Sequence, residues 1–185
     1  MKRMSLTIVL SAITVSGILF LCRSSLNAQT PDSEQLTKFL IEVREHAVLA
    51  EADANLLESY TLASVTWQSH AHRINAMKEH ANDLVSDFNK AKELQSVGSP
   101  WQQEAIDHLQ PILKSMAEHL NTSIEYLNRN QSHVNMAPWH EYVRANREYM
   151  SRTVVLVRDY LDYGEAKAKS EELMKRLDVP PSTGQ

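Results

Sequence analysis

The sequence predicts an all-α protein, an antiparallel up-down-up-down four-helix bundle with long helices, preceded by a signal peptide. Three observations support this prediction. Beyond residue 28, glycine occurs at only three positions, so the chain is poor in residues that favour turns. Apolar residues recur at alternating steps of three and four, as they do on one face of a helix. Short breaks separate four long segments of this kind, which is typical of a helical bundle.

Residues 1–28 have the layout of a secretory signal peptide. Lys2 and Arg3 precede an uncharged apolar run, and a small-residue cleavage site ends at Ala28. Cleavage there predicts an extracytoplasmic protein, either periplasmic or secreted. Two alternatives stay open. One is a lipoprotein signal at Cys22; the other is an uncleaved membrane anchor, because the 17 residues from Leu6 to Cys22 are at the short edge of the ~17–25 residues that span a bilayer.

The helical domain is predicted over residues 29–177, and its first two helices carry matching apolar stripes. The first stripe consists of Leu36, Leu40, Val43, Ala47, Ala50, Ala54 and Leu57. The second consists of Trp67, Ile74, Met77, Ala81, Leu84, Phe88 and Ala91, with His70 in its one gap. Residues 58–64 contain no helix breaker, but two facing stripes bury each other best when the chain turns between them. We therefore predict a tight turn there.

A strong break precedes the third helix, because Gly98 can end one helix while Ser99 and Pro100 can begin the next. The third helix is predicted over about residues 101–129 and the fourth over about residues 138–177. Their inward positions are Leu109, Ile112, Leu113, Met116, Leu120, Ile124 and Leu127, then Val143, Met150, Val154, Val157 and Leu161. A disordered tail is predicted over residues 178–185 from its prolines and polar residues.

Composition narrows the range of functions. The chain has a formal charge of −4, and cleavage after Ala28 leaves 16 basic residues against 23 acidic ones, a formal charge of −7. An acidic chain does not attract nucleic acid through its overall field, so no nucleic-acid partner is expected. Cleavage also removes Cys22, the only cysteine, and with it disulfide, thiolate-metal and thiol-nucleophile chemistry.

The predicted topology places half of the eight histidines and two of the three tryptophans at one end of the bundle. The candidate end-pocket or polar layer there consists of Trp67, His70, Tyr126, Trp139, His140, Tyr142 and Asn146. His70 lies on the inward stripe, where it needs a hydrogen-bond partner. Asn146 interrupts the inward stripe of the last helix and is the candidate partner. Such a layer either fixes helix register or binds a ligand.

A bound metal or b-type haem is the alternative, although no cofactor is the primary expectation. The metal candidates at this end are His70, His72, His133 and His140. The inward side chains that could serve as axial haem ligands are His70, Met77, Met116 and Met150. The Glu-x-x-His spacing of di-iron bundles does not occur in the chain. Adjacent pairs such as Glu45-His46 and Glu79-His80 point about 100° apart and predict a solvated face.

Three segments resemble a known group of proteins. They are SVTWQSHAHRINAMKEHAN over residues 64–82, SPWQQEAI over residues 99–106 and DYG over residues 162–164. Similar segments occur in an uncharacterised group of small secreted bacterial all-helical proteins of unknown function. The resemblance implies secretion and a helical fold, and it implies no activity, cofactor or site residue.

The chain contains no Gly-x-Ser-x-Gly motif and no glycine-rich phosphate loop, and no Ser, His and Asp spacing singles out a triad. We therefore expect a non-enzymatic binding, scaffold or chaperone-like component. Its partner would be an unknown protein or small ligand, and a homodimer could form through leftover apolar surface. A membrane is a partner only if the N-terminal segment stays uncleaved.

Overall fold

The computed structural model describes residues 30–178, which form four long helices joined by short connections. The helices are α1 (Glu34–Thr61), α2 (Trp67–Glu93), α3 (Pro100–Arg129) and α4 (Ala137–Leu177). One-turn 3₁₀ helices at Gln95–Val97 and Gln131–His133 lie in the second and third connections. The all-α four-helix fold and the three breaks between its helices are confirmed. The predicted signal peptide and residues 179–185 of the predicted tail lie outside the described residues.

Local sequence explains where two of the helices begin. The Ser33 side chain accepts a hydrogen bond from the Leu36 backbone N–H at 3.3 Å, which caps α1. At the start of α3, Gln102 Oε1 accepts the Ser99 backbone N–H at 3.0 Å, and Pro100 occupies the first helical position. These groups satisfy backbone donors that have no partner within the helix.

Side-chain contacts give the directions of the helices. Trp101, at the start of α3, lies against Tyr163 in the second half of α4. Tyr126, near the end of α3, lies against Trp139 at the start of α4. These two helices therefore run antiparallel. Helices α1 and α2 also run antiparallel, because Asp53 pairs with Arg73 whereas the earlier His46 pairs with the later Asp83. Helix α1 packs mainly on α2 and α4, and α3 packs mainly on α4.

The core follows the predicted stripes closely. All seven positions of the first stripe are buried, and so are six of the seven in the second, where Trp67 is half-buried. Four predicted inward residues are only partly buried: Ile112, Ile124, Val154 and Leu161. On α4 the inward stripe instead continues through Asn146, Thr153 and Gly164, which keep the alternation of three and four residues and are buried. Small and polar residues therefore occupy inward positions that the apolar pattern alone did not predict.

One further cluster joins α1, α3 and α4 near the start of α3; we call it the Trp101 anchor, comprising Trp101, Asp32, Gln102, Gly164 and Lys167. The indole N–H of Trp101 donates to Asp32 Oδ1 at 2.9 Å, and Lys167 Nζ lies 3.3 Å from the same oxygen. Gln102 is fully buried and donates to the Ser33 carbonyl at 2.9 Å. A Cβ on Gly164 would lie 2.5 Å from the indole ring, so only glycine lets the helices approach this closely.

Within residues 30–178, no helix combines the length and the apolar character needed to cross a bilayer.

Candidate functional site

The predicted end of the bundle holds an interior cluster, the aromatic layer, made of Tyr60, His70, Tyr126, Trp139 and Tyr142. Its rings come from all four helices. His70 and Trp139 are fully buried, and their ring centroids lie 5.8 Å apart in an edge-on arrangement. Tyr60 approaches His70 edge-on at 5.7 Å, and Tyr126 lies parallel to Trp139 at 6.3 Å. Edge-on and offset contacts are the arrangements that aromatic rings prefer, so this layer is packed as core.

The polar partner of His70 is Trp139, and the predicted pairing with Asn146 is wrong. The Trp139 indole N–H donates to His70 Nδ1 at 3.1 Å. An indole can only donate, so Nδ1 is unprotonated and the neutral ring carries its proton on Nε2. Burial, and after it the nearby charge of His140, lowers the pKa of His70. The ring therefore stays neutral at physiological pH.

Asn146 is buried as predicted, but it bonds within the α3–α4 contact. Its Nδ2 donates to Ser123 Oγ at 2.7 Å and to the Tyr142 carbonyl at 2.9 Å. The sequence pattern missed Ser123 because serine on a helix gives no apolar signal. This polar pair sits between buried apolar neighbours and can fix the register of α3 against α4.

Of the remaining predicted histidines, only His140 lies near His70. His72 and His133 are exposed, and Trp67 and His140 are half-buried. The charge of His140 acts on His70, so these two lie near each other, and His140 Nε2 and His70 Nε2 are both buried without a hydrogen-bond partner. The structure thus brings most of the predicted layer together in a packed interior.

The aromatic layer does not suit a metal or haem at His70. The lone pair on Nδ1 already accepts the Trp139 N–H. A metal on Nε2 would require a proton on Nδ1, which would then face the indole N–H donor. Met77, Met116 and Met150, the methionines considered as axial ligands, are fully buried among core residues, as is typical of methionine that fills a core.

A second histidine cluster lies on the contact between α1 and α2, about half-way along both helices; we call His46, His80 and Asp83 the seam cluster. One ligand-type atom from each residue lies within 4.8 Å of the others, and this is the one such trio within residues 30–178. The side chains of His46 and His80 are 30% and 33% exposed. The predicted solvated face is therefore wrong for these two histidines, which lie partly buried between helices.

Buried carboxylates stand behind both imidazoles of the seam cluster. His46 Nε2 lies 3.5 Å from Asp87 Oδ2, and His80 Nε2 lies 3.7 Å from Asp53 Oδ2. Each carboxylate has a cationic partner of its own. Asp53 pairs with Arg73 Nη1, and Lys90 Nζ donates to Asp87 Oδ1 at 2.7 Å. The result is a chain of alternating charges and imidazoles along the α1–α2 contact.

A sequence signal for this cluster did exist. His80, Asp83 and Asp87 are spaced three and four apart, so they share one face of α2, beside the apolar stripe. His46 and Asp53 are seven apart and share one face of α1. Reading each histidine only with its immediate glutamate neighbour hid this pattern.

The outer side of the α3–α4 contact carries a groove, which we call the α3–α4 groove. One part, of about 580 Å³, lies between Ile112 and the stretch of α4 from residue 147 to residue 159. The adjoining part, of about 480 Å³, reaches Trp101 and Tyr163. Leu156 and Asp159 line both parts, so the two parts adjoin each other.

Comparisons with protein-family models, with curated proteins and with solved structures found no match.

Proposed function

We propose that this chain is an exported, non-enzymatic binding protein that holds apolar segments of other polypeptides, as a scaffold or chaperone-like component would. The signal-peptide pattern of residues 1–28 supports export to the periplasm or the exterior. The observation that carries the binding role is the α3–α4 groove, which consists of two adjoining concave surfaces on otherwise regular helices.

The lining of the groove fits a polypeptide with apolar anchors. Val155 and Tyr163 are 42% and 56% exposed, and Leu156 lies between the two parts of the groove. Charges of both signs, such as Arg152 and Asp159, surround these residues. An apolar floor with a mixed polar rim is the composition of protein-binding surfaces, and extended or helical peptides occupy such grooves between helices.

A matched pair of substitutions tests the groove. Val155→Asp adds a charge to the groove, whereas Val48→Asp adds the same charge to α1, where the valine is 46% exposed. The assay is light scattering of insulin reduced with dithiothreitol, whose chains expose apolar segments and aggregate. The cleaved form, residues 29–185, has no cysteine, so the reductant leaves it intact. We expect the unsubstituted protein and V48D to suppress aggregation and V155D to lose most of that effect.

Two results would contradict the binding role. One is a lack of suppression at a several-fold molar excess; the other is equal loss in V155D and V48D. A second measurement, multi-angle light scattering of the protein alone, tests a second copy as the occupant. A dimer that V155D converts to a monomer would assign the groove to self-association and overturn the chaperone-like proposal.

Export is tested separately. We expect full-length protein made in a Gram-negative host to yield a periplasmic species whose mass begins at Gln29. An uncleaved species in the membrane fraction would support the anchor, and a lipid-modified species starting at Cys22 would support the lipoprotein signal.

A further inference from the structure

We propose that His46, His80 and Asp83 form a binding site for one divalent transition-metal ion of the zinc class. The site lies on the contact between α1 and α2, away from the α3–α4 groove and from His70. It is therefore independent of the proposed binding of polypeptides.

The helices present the three side chains to one point. His80 and Asp83 are three residues apart on α2 and share a face, and His46 reaches the same point from α1. Their ligand-type atoms lie within 4.8 Å of one another, whereas ligands around tetrahedral zinc lie about 3.3 Å apart. The side chain of Asp83 is 61% exposed and can rotate to close this gap. Solvent can supply a fourth ligand on the same side.

Each imidazole has a nitrogen ready for a metal. His46 Nδ1 and His80 Nδ1 are both buried and have no hydrogen-bond partner. The opposite nitrogens face carboxylates, His46 Nε2 at 3.5 Å from Asp87 and His80 Nε2 at 3.7 Å from Asp53. A carboxylate behind an imidazole favours the tautomer with its proton on Nε2, which leaves the Nδ1 lone pair for the metal. Metal-binding histidines in proteins almost always have such a partner.

The carboxylates behind the ring nitrogens are themselves unusual. Asp53 and Asp87 are only 8% and 7% exposed on helix faces where an apolar residue would pack at lower cost. Arg73 and Lys90 hold them in place. Orienting the two imidazoles gives these buried charges a role. An ion pair with a protonated histidine would explain the carboxylates as well, and at His46 it would place Nδ1 3.9 Å from Asp83, but it would leave the buried His80 Nδ1 without a partner.

The donor set selects the class of ion. Two imidazole nitrogens and one carboxylate suit zinc, copper, nickel or cobalt, whereas calcium and magnesium require oxygen ligands throughout. Copper(II) binds most such sites more tightly than zinc. Zinc is the better probe because it has no redox chemistry to damage the protein.

The test is titration of untagged protein, residues 29–185, with zinc chloride in competition with a chromophoric chelator. We expect one ion per chain with a micromolar or tighter dissociation constant. H46Q and H80Q should each weaken binding by more than about tenfold because one nitrogen ligand is lost. H72Q is the matched control, since His72 is an exposed histidine on the same helix, and it should bind as the unsubstituted protein does.

Asp87→Asn tests the support behind His46. It leaves all three proposed ligands in place, and we expect it to weaken zinc binding by about tenfold. Circular dichroism checks that each variant keeps its helices. Should a variant lose helical structure, nuclear magnetic resonance of the unsubstituted protein decides, because zinc should shift the ring signals of His46 and His80 and leave those of His72 in place.

The proposal is overturned if the protein does not bind zinc above the level of H46Q. It is also overturned if H72Q weakens binding as much as H80Q, or if zinc leaves the ring signals of His46 and His80 unchanged. None of these outcomes bears on suppression of insulin aggregation, so the metal site and the binding role can fail separately.

Discussion

Each end of the bundle buries a tryptophan near the start of a helix, and the two indole N–H groups have acceptors of different charge. In the aromatic layer, Trp139 donates to the neutral ring of His70, and both side chains are fully buried. In the Trp101 anchor, Trp101 donates to the carboxylate of Asp32, which Lys167 also contacts. The side chain of Asp32 is 28% exposed, so water reaches this end.

The difference follows from the cost of burying charge. A charged carboxylate buried away from water would need several partners to offset its lost hydration. An imidazole can stay neutral there, because burial lowers its pKa. The buried aromatic layer therefore has a neutral acceptor, and the partly exposed Trp101 anchor has a charged acceptor with a lysine beside it. We expect the aromatic layer to depend on packing and on protonation near neutral pH, and the Trp101 anchor to depend on close fit and on salt.

The largest effect is expected for Trp139→Ala. This change removes a fully buried indole and leaves a cavity, and it takes from His70 Nδ1 its hydrogen-bond donor. We expect a loss of about 3–5 kcal/mol in the free energy of unfolding, measured by urea denaturation. Trp67→Ala is the control at the same end, because Trp67 is only half-buried. A cost of W139A no greater than that of W67A would mean that the layer is not a packed core.

The close fit of the Trp101 anchor is tested by Gly164→Ala. The added methyl group would lie 2.5 Å from the Trp101 ring, so the helix or the ring must shift. We expect a loss of about 1–3 kcal/mol in the free energy of unfolding. The control is a double-mutant cycle with Trp101→Phe, whose smaller ring should recover much of the loss. Additive losses would show that the ring and Gly164 do not interact.

The pH dependence separates the two acceptors. Burial and the charge of His140 lower the pKa of His70, so as pH falls below the ordinary value of 6.5 the unfolded chain takes up a proton that the native ring refuses. The native state therefore loses stability as pH falls from 6.5, by at most about 1.4 kcal/mol per pH unit. Burial raises the pKa of Asp32, but its hydrogen bonds with Ser99, Trp101 and Lys167 outweigh this and lower the pKa below 3.8, so its contribution is lost only below that pH.

His70→Gln tests this difference through urea denaturation between about pH 7.5 and 5.5. The substitution removes the imidazole, so the stability of H70Q should fall less steeply with decreasing pH than that of the unsubstituted protein. The cost of the substitution should accordingly shrink at the lower pH. The quantity compared is the difference between the two slopes, which reports the contribution of the imidazole at position 70. Parallel slopes would mean that His70 takes up its proton in the native state as readily as in the unfolded chain.

These two ends also show what the sequence can predict. The apolar stripes predicted four helices, their breaks and the burial of His70 and Asn146, because burial follows from position on one helix. The partners could not be predicted, since they depend on how helices are rotated and staggered against each other. In the structure, Trp139 rather than Asn146 is the hydrogen-bond partner of His70, and Asn146 instead donates to Ser123. Asp32 lies before α1 in a segment without periodicity, so no pattern linked it to Trp101.

The seam cluster shows the same limit, because its spacing is visible in the sequence but its contact between helices is not. The spacing of His80, Asp83 and Asp87 on α2 is visible in the sequence, as is that of His46 and Asp53 on α1. The spacing cannot show that these two faces meet. Polar residues beside an apolar stripe can equally well lie in solvent or in a contact with another helix. Only the docked helices distinguish a polar contact from a solvated face.

The smallest effect is expected for Lys167→Met, which keeps the stem of the side chain and removes its charge from both Asp32 and Glu171. Lys167 Nζ lies 3.3 Å from Asp32 and 3.1 Å from Glu171, and the lysine side chain is 16% exposed. We expect a loss of about 0.5–1 kcal/mol in the free energy of unfolding at low salt. The loss should shrink in about 1 M sodium chloride, because the Debye length, beyond which salt screens charges, is then about 3 Å. The cost of H70Q should not change with salt at neutral pH, since both partners in that layer are neutral. A cost of K167M that is independent of salt would show that Lys167 contributes by packing, and the contrast between a charged and a neutral end would then rest on Asp32 alone.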